Sequence, residues 1–294
     1  MGIKDLKKTL KDLDIKCFGT VPLSDFASFR IAIDGLNWLF TYISSAVRNL
    51  IEKQQEDYLE KKEELKLELL GTSILERPKE KISKYKQLVI NTVYIKFSNI
   101  DRMKFFGKEI GLPTIFADDE AENLASSLCV ERKVAAVWSA DTDTYPLGAP
   151  VVVKGFEYIN GVTHISYVYI PRILKELNLN YSEFRDFCIL LGTDFNDRMH
   201  GIGPKKSLLL INTYRCIEKI EEETKHNIYC LKYKENRKQL TPYNTYYYGE
   251  NFLNINKDID QEAILKKYNF KNTEKIVSAI IKSEECIDVP KNKV

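Results

Sequence analysis

Val134-Ala-Ala-Val-Trp-Ser-Ala-Asp141-Thr-Asp143 decides the fold: a short apolar run of strand length ends, within a few residues, at two carboxylates. Arg30-Ile-Ala-Ile-Asp34-Gly35 and Ile189-Leu-Leu-Gly-Thr-Asp194 repeat the pattern, and Asp118-Asp-Glu120-Ala-Glu122 follows the apolar stretch Pro113 to Ala117. Acidic groups at the carboxyl ends of strands stand where ligands of open α/β sheets bind. A pair of acids two residues apart is ordinarily solvated surface, so the weight lies on the whole set: Asp34, Glu120, Glu122, Asp141, Asp143 and Asp194. Packed together they repel unless a cation lies between them, and burying Asp194 behind Ile-Leu-Leu-Gly is costly without one. Hard oxygen donors without His or Cys select Mg²⁺ or Mn²⁺. A two-metal carboxylate site is the usual machinery for in-line attack on a phosphodiester.

Outward from these motifs, strands are expected at Phe29 to Ile33, Pro113 to Ala117, Val134 to Trp138, Val151 to Lys154 and Val162 to Ile170. Helices are expected at Leu36 to Ile51, Ile100 to Ile110 (stopped by Gly111), Pro171 to Leu177, Tyr181 to Leu191 and Gln261 to Lys282. A further helix holds Leu124, Leu128 and Val130, with Asp118 or Asp119 as its cap, and Ile3, Leu6 and Leu10 are spaced helically at the start. The fold class this implies is α/β, a mostly parallel central sheet flanked by helices. From Glu52 to Lys86 the chain turns strongly charged and is broken by Gly71 and Pro78. That stretch reads as a solvated helical hairpin or as a cap over the active site. Beyond about Glu221 it reads as Tyr- and Lys-rich and irregular until the closing helix.

The chain has 294 residues, and a net charge of +2 permits nucleic-acid binding without arguing for it. Its six cysteines show neither a C-x-x-C pair nor zinc spacing, and Cys129 and Cys188 have apolar neighbours. They read as reduced core thiols of an intracellular protein, at the nucleus or a viral or cytoplasmic replication site and not secreted. No apolar run approaches the ~20 residues of a membrane helix.

Gly201-Ile-Gly-Pro-Lys205-Lys206 is a turn signal. Gly201 and Gly203 let backbone N–H groups approach a phosphate, the following helix N-terminus adds its dipole, and Lys205 and Lys206 add charge. Alone it would be an ordinary Gly-Pro turn; shortly after a candidate metal ligand it reads as a grip on DNA.

Taken in order, Met1-Gly-Ile, Ala32-Ile-Asp34, Glu120-Ala-Glu122, Asp141-Thr-Asp143 with Leu147-Gly-Ala-Pro150, Cys188 to Phe195 and Gly201 to Lys205 resemble the flap endonuclease/XPG family of structure-specific 5′ nucleases. The motifs cover residues 1–48 and about 100–215. The resemblance implies a PIN-like nuclease core, the six acids as catalytic ligands of two Mg²⁺ ions for which Mn²⁺ can substitute, and a helix–two-turn–helix often holding K⁺. It implies DNA contacts at Gly2, Gly201, Gly203, Lys205 and Lys206, and at Phe40, where the family usually carries a base-stacking Tyr; plain helix core is the other reading of Phe40. The implied division is a nuclease core at 1–215, containing a helical arch at 49–99 and the helix–two-turn–helix at 181–215, followed by an extension at 216–294 packing on the core.

Two departures stand out. Between Asp34 and Glu120 there is no apolar-apolar-Asp-Gly strand end, where the family places a further Asp; Leu88 to Phe97 ends instead in Ser98-Asn-Ile-Asp101. The shortened arch leaves Lys61, Lys62 and Lys81 as candidates for its catalytic cations, and Asp101 and Asp57 as substitutes for the missing acid. The final Val289-Pro-Lys-Asn-Lys-Val294 lacks the glutamine–aliphatic–double-aromatic peptide that binds the sliding clamp. The expectation is a monomeric, Mg²⁺-dependent 5′ nuclease acting on branched, flapped or nicked DNA in replication, repair or recombination. The alternative is a weakened or inactive relative that binds branched DNA, and a PIN-type RNase is disfavoured by the duplex grip. A Mg²⁺ phosphatase fails because Asp34 is followed by Gly35-Leu36 rather than by a second acid.

Overall fold

The computed structural model describes residues 2–26, 29–35, 37, 97–245, 253–256 and 258–283. The chain divides into two units, residues 1–35 with 106–294 and residues 36–105. In order, the elements are α1 (Leu6–Asp12), β1 (Phe18–Pro22), β2 (Ile31–Ile33), α2 (Phe97–Glu109), α3 (Ala121–Val130), β3 (Ala136–Trp138), β4 (Val151–Ile159), β5 (Val162–Tyr169), α4 (Ile170–Leu177), α5 (Tyr181–Leu191), α6 (Pro204–Tyr214), α7 (Ile217–Glu223), α8 (Tyr233–Gln239), α9 (Gln261–Lys267) and α10 (Thr273–Ser283). Of the second unit, the described residues are Asn37 and the part of α2 up to Phe105.

The described strands form one sheet in the order β1-β5-β4-β3-β2. β2, β3 and β4 are parallel, with Ile33 opposite Trp138 and Trp138 opposite Val153. β5 runs antiparallel to both β4 and β1. Four strands therefore share one direction and β5 alone opposes them, so the sheet is mixed, parallel over β2-β3-β4 and antiparallel over β4-β5-β1. Its reversal comes from Asn160-Gly161, whose φ values of 49° and 83° make the two-residue turn that suits a twisted hairpin.

The main core lies between the sheet and the helices and is built on Leu6, Leu10, Val137, Val152, Tyr145, Phe184 and Phe187, with Cys17, Cys129 and Cys188 buried in it as free thiols. A smaller cluster, Ala136, Val151, Val153 and Ile165, occupies the other face. α5 occupies the expected residues because Asn180 and Glu183 form a reciprocal capping box and Gly192, at φ 87°, ends it.

Other expectations need correction. Pro113 to Ala117 is not a strand: Pro113 has no N–H to donate, and Thr114 Oγ1 turns back to the Leu112 carbonyl at 3.1 Å. Ser98 to Asp101 begins α2 and does not end a strand, and Asp101 is exposed on that helix. Gln261 to Lys282 is two helices, separated where Asn269 and Asn272 take left-handed backbone conformations. The region beyond Glu221 contains α8, and β1 was not foreseen. The expected Leu36–Ile51 helix, most of the 49–99 insert with Lys61, Lys62, Lys81 and Asp57, Phe40, and the last residues lie outside the described residues. No helix among the described residues is long and apolar enough to cross a membrane.

Candidate metal centre

The parallel register sets the site. Asp34 N–H donates to the Trp138 carbonyl at 3.0 Å and Ser139 N–H to the Val153 carbonyl at 3.2 Å. β2 and β3 thus end level, so Asp34 and the Ser139–Asp143 loop leave the sheet side by side, next to Lys154, which stays within β4 at the register shift between Val153 and Gly155. The loop is folded on itself: Asp141 N–H donates to Ser139 Oγ at 3.1 Å, Asp143 N–H to Asp141 Oδ1 at 3.3 Å, and Thr144 Oγ1 to the Asp141 carbonyl at 2.7 Å.

Residues 2–4 stitch this loop to the end of α5. Gly2 N–H donates to Asp194 Oδ2 at 2.9 Å, Ile3 N–H to Thr142 Oγ1 at 2.8 Å, and Lys4 N–H to the Gly192 carbonyl at 2.8 Å. Gly2 is sterically required: its φ is 99°, and a Cβ would lie 2.0 Å from Asp141 Oδ1. Gly2, read from the sequence as a DNA contact, therefore sits directly against the carboxylates.

The outcome is convergence. One carboxylate oxygen from each of Asp141, Asp143 and Asp194 lies within 4.8 Å of the others. Glu120 occupies the N-cap position of α3 and Glu122 its first turn. Glu120 takes the place expected of Asp118 or Asp119, though its side chain makes no capping hydrogen bond and both aspartates are exposed. Burial, and then the neighbouring Asp34, push Glu122 well above the usual carboxylate range, with Glu120 adding to the effect. Burial, then Asp141 and Asp194, push Asp143 up to about 7, and Glu120 contributes here too. Asp34 and Glu120 thus act on Glu122, and Asp141, Asp194 and Glu120 on Asp143, so Glu120 is near enough to influence both groups of acids. Asp143 Oδ1 is buried without a hydrogen-bond partner. An all-oxygen donor set with an orphaned buried carboxylate oxygen fits a hard divalent cation.

Lys154 escaped the sequence reading. Its ammonium donates to the Ser139 carbonyl at 2.8 Å and the Asp141 carbonyl at 3.3 Å, and lies 5.2 Å from the centre of the Tyr145 ring. Burial, and then Lys7, lower it to about 7, while Asp141 opposes the shift. The available signal was a lysine closing the otherwise apolar run Val151-Val-Val-Lys154. Under Asp194, Thr193 N–H donates to Asn196 Oδ1 at 3.2 Å, and Asn196 Nδ2 donates to the Ile189 carbonyl at 3.0 Å. A cavity of about 280 Å³ opens beside Asp194, lined by Lys4, Phe195 and Lys232 among others.

α5 and α6 flank the Gly201–Lys206 turn. Ile202 is buried, whereas Lys205 and Lys206 are exposed, and Lys206 Nζ donates to the Gly201 carbonyl at 3.1 Å. Gly201 needs its glycine for φ 71°. Gly203 has an ordinary φ of −95°, and a Cβ on it would meet nothing within 4 Å.

Residues 111–194 match the XPG I-region. Over this stretch the chain is similar to members of the flap endonuclease/XPG family. It is 38% identical over 126 residues to flap endonuclease 1 of Encephalitozoon cuniculi, covering 42% of this chain and 36% of that protein. It is 35% identical over 130 residues to the human flap endonuclease 1, covering 44% and 34%. This relative thus spans less than half the length of the curated proteins it matches. Among solved structures, the catalytic core of Rad2 with a DNA substrate superposes with a TM-score of 0.53 at 13% identity, over 97% of this chain and 100% of that one. Human GEN1 with Holliday junction DNA gives 0.52 at 18%, over 96% and 78%. Both likenesses show the fold, the α/β arrangement expected from the sequence.

Proposed function

We propose that this chain is a divalent-metal-dependent, structure-specific 5′ nuclease that hydrolyses phosphodiesters in branched, flapped or nicked DNA. The observation that carries the reading is the convergence of Asp141, Asp143 and Asp194, with Asp143 Oδ1 buried and unpartnered. These three would hold one Mg²⁺, and Asp34, Glu120 and Glu122 would serve a second; Mn²⁺ has the same donor preference. When bound, such ions activate water and stabilise the attacking and leaving oxygens of the displacement. The chain's own contribution is positional: the Gly2–Lys4 seam holds Asp194 against the Asp141 loop, and Lys154 ties down that loop's carbonyls. Lys205, Lys206 and the open face of Gly203 support close approach of a duplex backbone, giving position without sequence preference, with K⁺ at the same turn. We read residues 1–215 as the nuclease core and 216–294 as an extension upon it.

The 86-residue interval from Asp34 to Glu120 without the Asp-Gly strand end favours a second reading, a branched-DNA binding protein with weakened cleavage. One experiment separates them: labelled flap, nicked and single-stranded DNA incubated with the protein in Mg²⁺ and in EDTA. Mg²⁺-dependent cleavage selective for the branched forms is expected. Tight, structure-selective binding without cleavage in Mg²⁺ or Mn²⁺ would promote the second reading.

A further inference from the structure

The six carboxylates ride on separate pieces of chain, and one short segment touches two of them. At one end of it Asn236, in α8 and 1% exposed, places Oδ1 3.4 Å from Thr193 Oγ1, directly beside Asp194, as a long second acceptor for the hydroxyl that donates to Asn196 Oδ1 at 2.8 Å. The adjacent Arg237 grips the buried Asp186 of α5 with two bonds, 2.7 Å to Oδ1 and 2.6 Å to Oδ2, and also pairs with Glu218 of α7. The segment then crosses to α3. Asn123 Nδ2 donates to the Gln239 carbonyl at 3.1 Å and the Thr241 carbonyl at 3.3 Å. Tyr243 N–H donates to Ser127 Oγ at 3.0 Å, and Thr245 N–H to Glu131 Oε1 at 2.9 Å. Thr245 Oγ1 is bound by both Glu131 and Lys133.

Asn123, Ser127 and Glu131 recur every four residues and so form one stripe along α3, the helix that opens with Glu120-Ala-Glu122. Asn123 immediately follows Glu122. The contacts are directional and half-buried, and leaving such a group unpaired is costly, so they fix spacing and not only burial.

We propose that residues 236–245 are a positioning brace for the carboxylate cluster. The segment fixes α3, with Glu120 and Glu122, relative to the Thr193–Asp194 loop. This rests on the metal-centre reading above. Loss of a tether that does not unfold the protein should then weaken metal binding specifically, as loss of groups supporting metal ligands does, by about tenfold.

The test uses the whole chain without DNA and follows the rise in Tm on Mn²⁺ titration, which reports binding to the folded state. That rise grows logarithmically, so its midpoint is taken as the Mn²⁺ concentration that gives a fixed rise in Tm. Asn123→Ala and Asn236→Ala should each move the midpoint of that titration about tenfold upward. Thr245→Val, close in shape but without the hydroxyl, should move it in the same direction, and Thr245→Ser should restore it. That pair keeps the test sound if either alanine variant fails to fold. Ile165→Ala, in the second core cluster away from the brace, should lower the metal-free Tm and leave the midpoint unchanged. Wild-type midpoints in the brace variants, or an equal shift in Ile165→Ala, would overturn the brace while leaving the metal centre standing. A wild-type protein with no response to Mn²⁺ would overturn both.

Discussion

The two halves of the acidic cluster are built differently. Asp141, Asp143 and Asp194 hang from loops, yet they converge because short polar contacts from Gly2, Ile3 and Lys154 pin those loops together. Asp34 and Glu122 stand on regular elements, the end of β2 and the first turn of α3, and Glu120, which raises both Glu122 and Asp143, lies electrostatically between the two halves. Under the proposed function, loop carboxylates with dedicated tethers would make a ready cation site. Element-borne ligands depend on how accurately a helix is set against a strand end. Between Asp34 and Glu120 the sequence has no apolar-apolar-Asp-Gly strand end, so in the proposed reading the second half is the one that lacks a motif.

The largest effect should come from breaking the first half. Asp141→Asn with Asp143→Asn should lower cleavage by at least about a thousandfold, because charge stabilisation at the reacting phosphate disappears. Flap-DNA binding in EDTA should stay within a few-fold, since neither residue is proposed to touch DNA. Near-normal turnover in a single-turnover assay would sink the assignment.

Breaking the second half should be gentler. Glu122→Gln removes a charge from a set already short of ligands, so the Mg²⁺ needed for half-maximal cleavage should rise at least about tenfold, with Mn²⁺ recovering much of the loss. If Mg²⁺ dependence is unmoved, Glu122 is not a ligand and the halves are not equivalent parts of one centre.

Crowded carboxylates also leave a mark on stability. Asp143 and Glu122 hold their protons more tightly folded than unfolded, so the folded state binds more protons between the ordinary carboxylate range near pH 4 and about pH 7. Metal-free stability should therefore fall as pH rises from 5 to 7. Each kcal/mol lost would show as roughly 2–4 °C in Tm for a chain of this size. Lys154 adds a contribution of opposite slope only above its value of about 7, outside this window. Saturating Mg²⁺ should flatten the profile; a profile that is flat without metal would mean the carboxylates are already satisfied.

How far the sequence carries this is itself uneven. Asp34, Asp141, Asp143 and Asp194 were legible because each follows an apolar run, and α5 because Asn180, Glu183 and Gly192 mark both its ends. β1 was hidden by Gly19 and Pro22, poor strand formers in isolation; Gly19 is there because a Cβ would strike the Tyr167 ring. α8 was hidden because its support is tertiary: Arg237 and Asn236 hold it through partners 51 and 43 residues away. Lys154 shows the same limit, since its partners are carbonyls aligned only by strand register. Local pattern marked the carboxylates, whereas the groups that position them depend on contacts no local pattern encodes.

The smallest effect, and the sharpest check on the DNA side, concerns two adjacent lysines with unequal duties. Lys205 makes no hydrogen bond or ion pair among the described residues, while Lys206 also ties down the Gly201 carbonyl. If both meet phosphates, each alanine variant should lower the log–log salt slope of duplex binding by about 0.9, since each contact releases its share of counterions. Lys205→Ala should do only that, weakening flap and nicked duplexes alike and leaving Tm unchanged. Lys206→Ala should in addition free the turn and cost a small amount of stability. Binding measured across a salt series in EDTA, beside a thermal melt, resolves the pair. Unchanged slopes in both would mean that the Gly201–Lys206 turn faces away from DNA. An unchanged slope for Lys206→Ala alone would leave that residue with only its structural duty, and Lys205 as the phosphate contact.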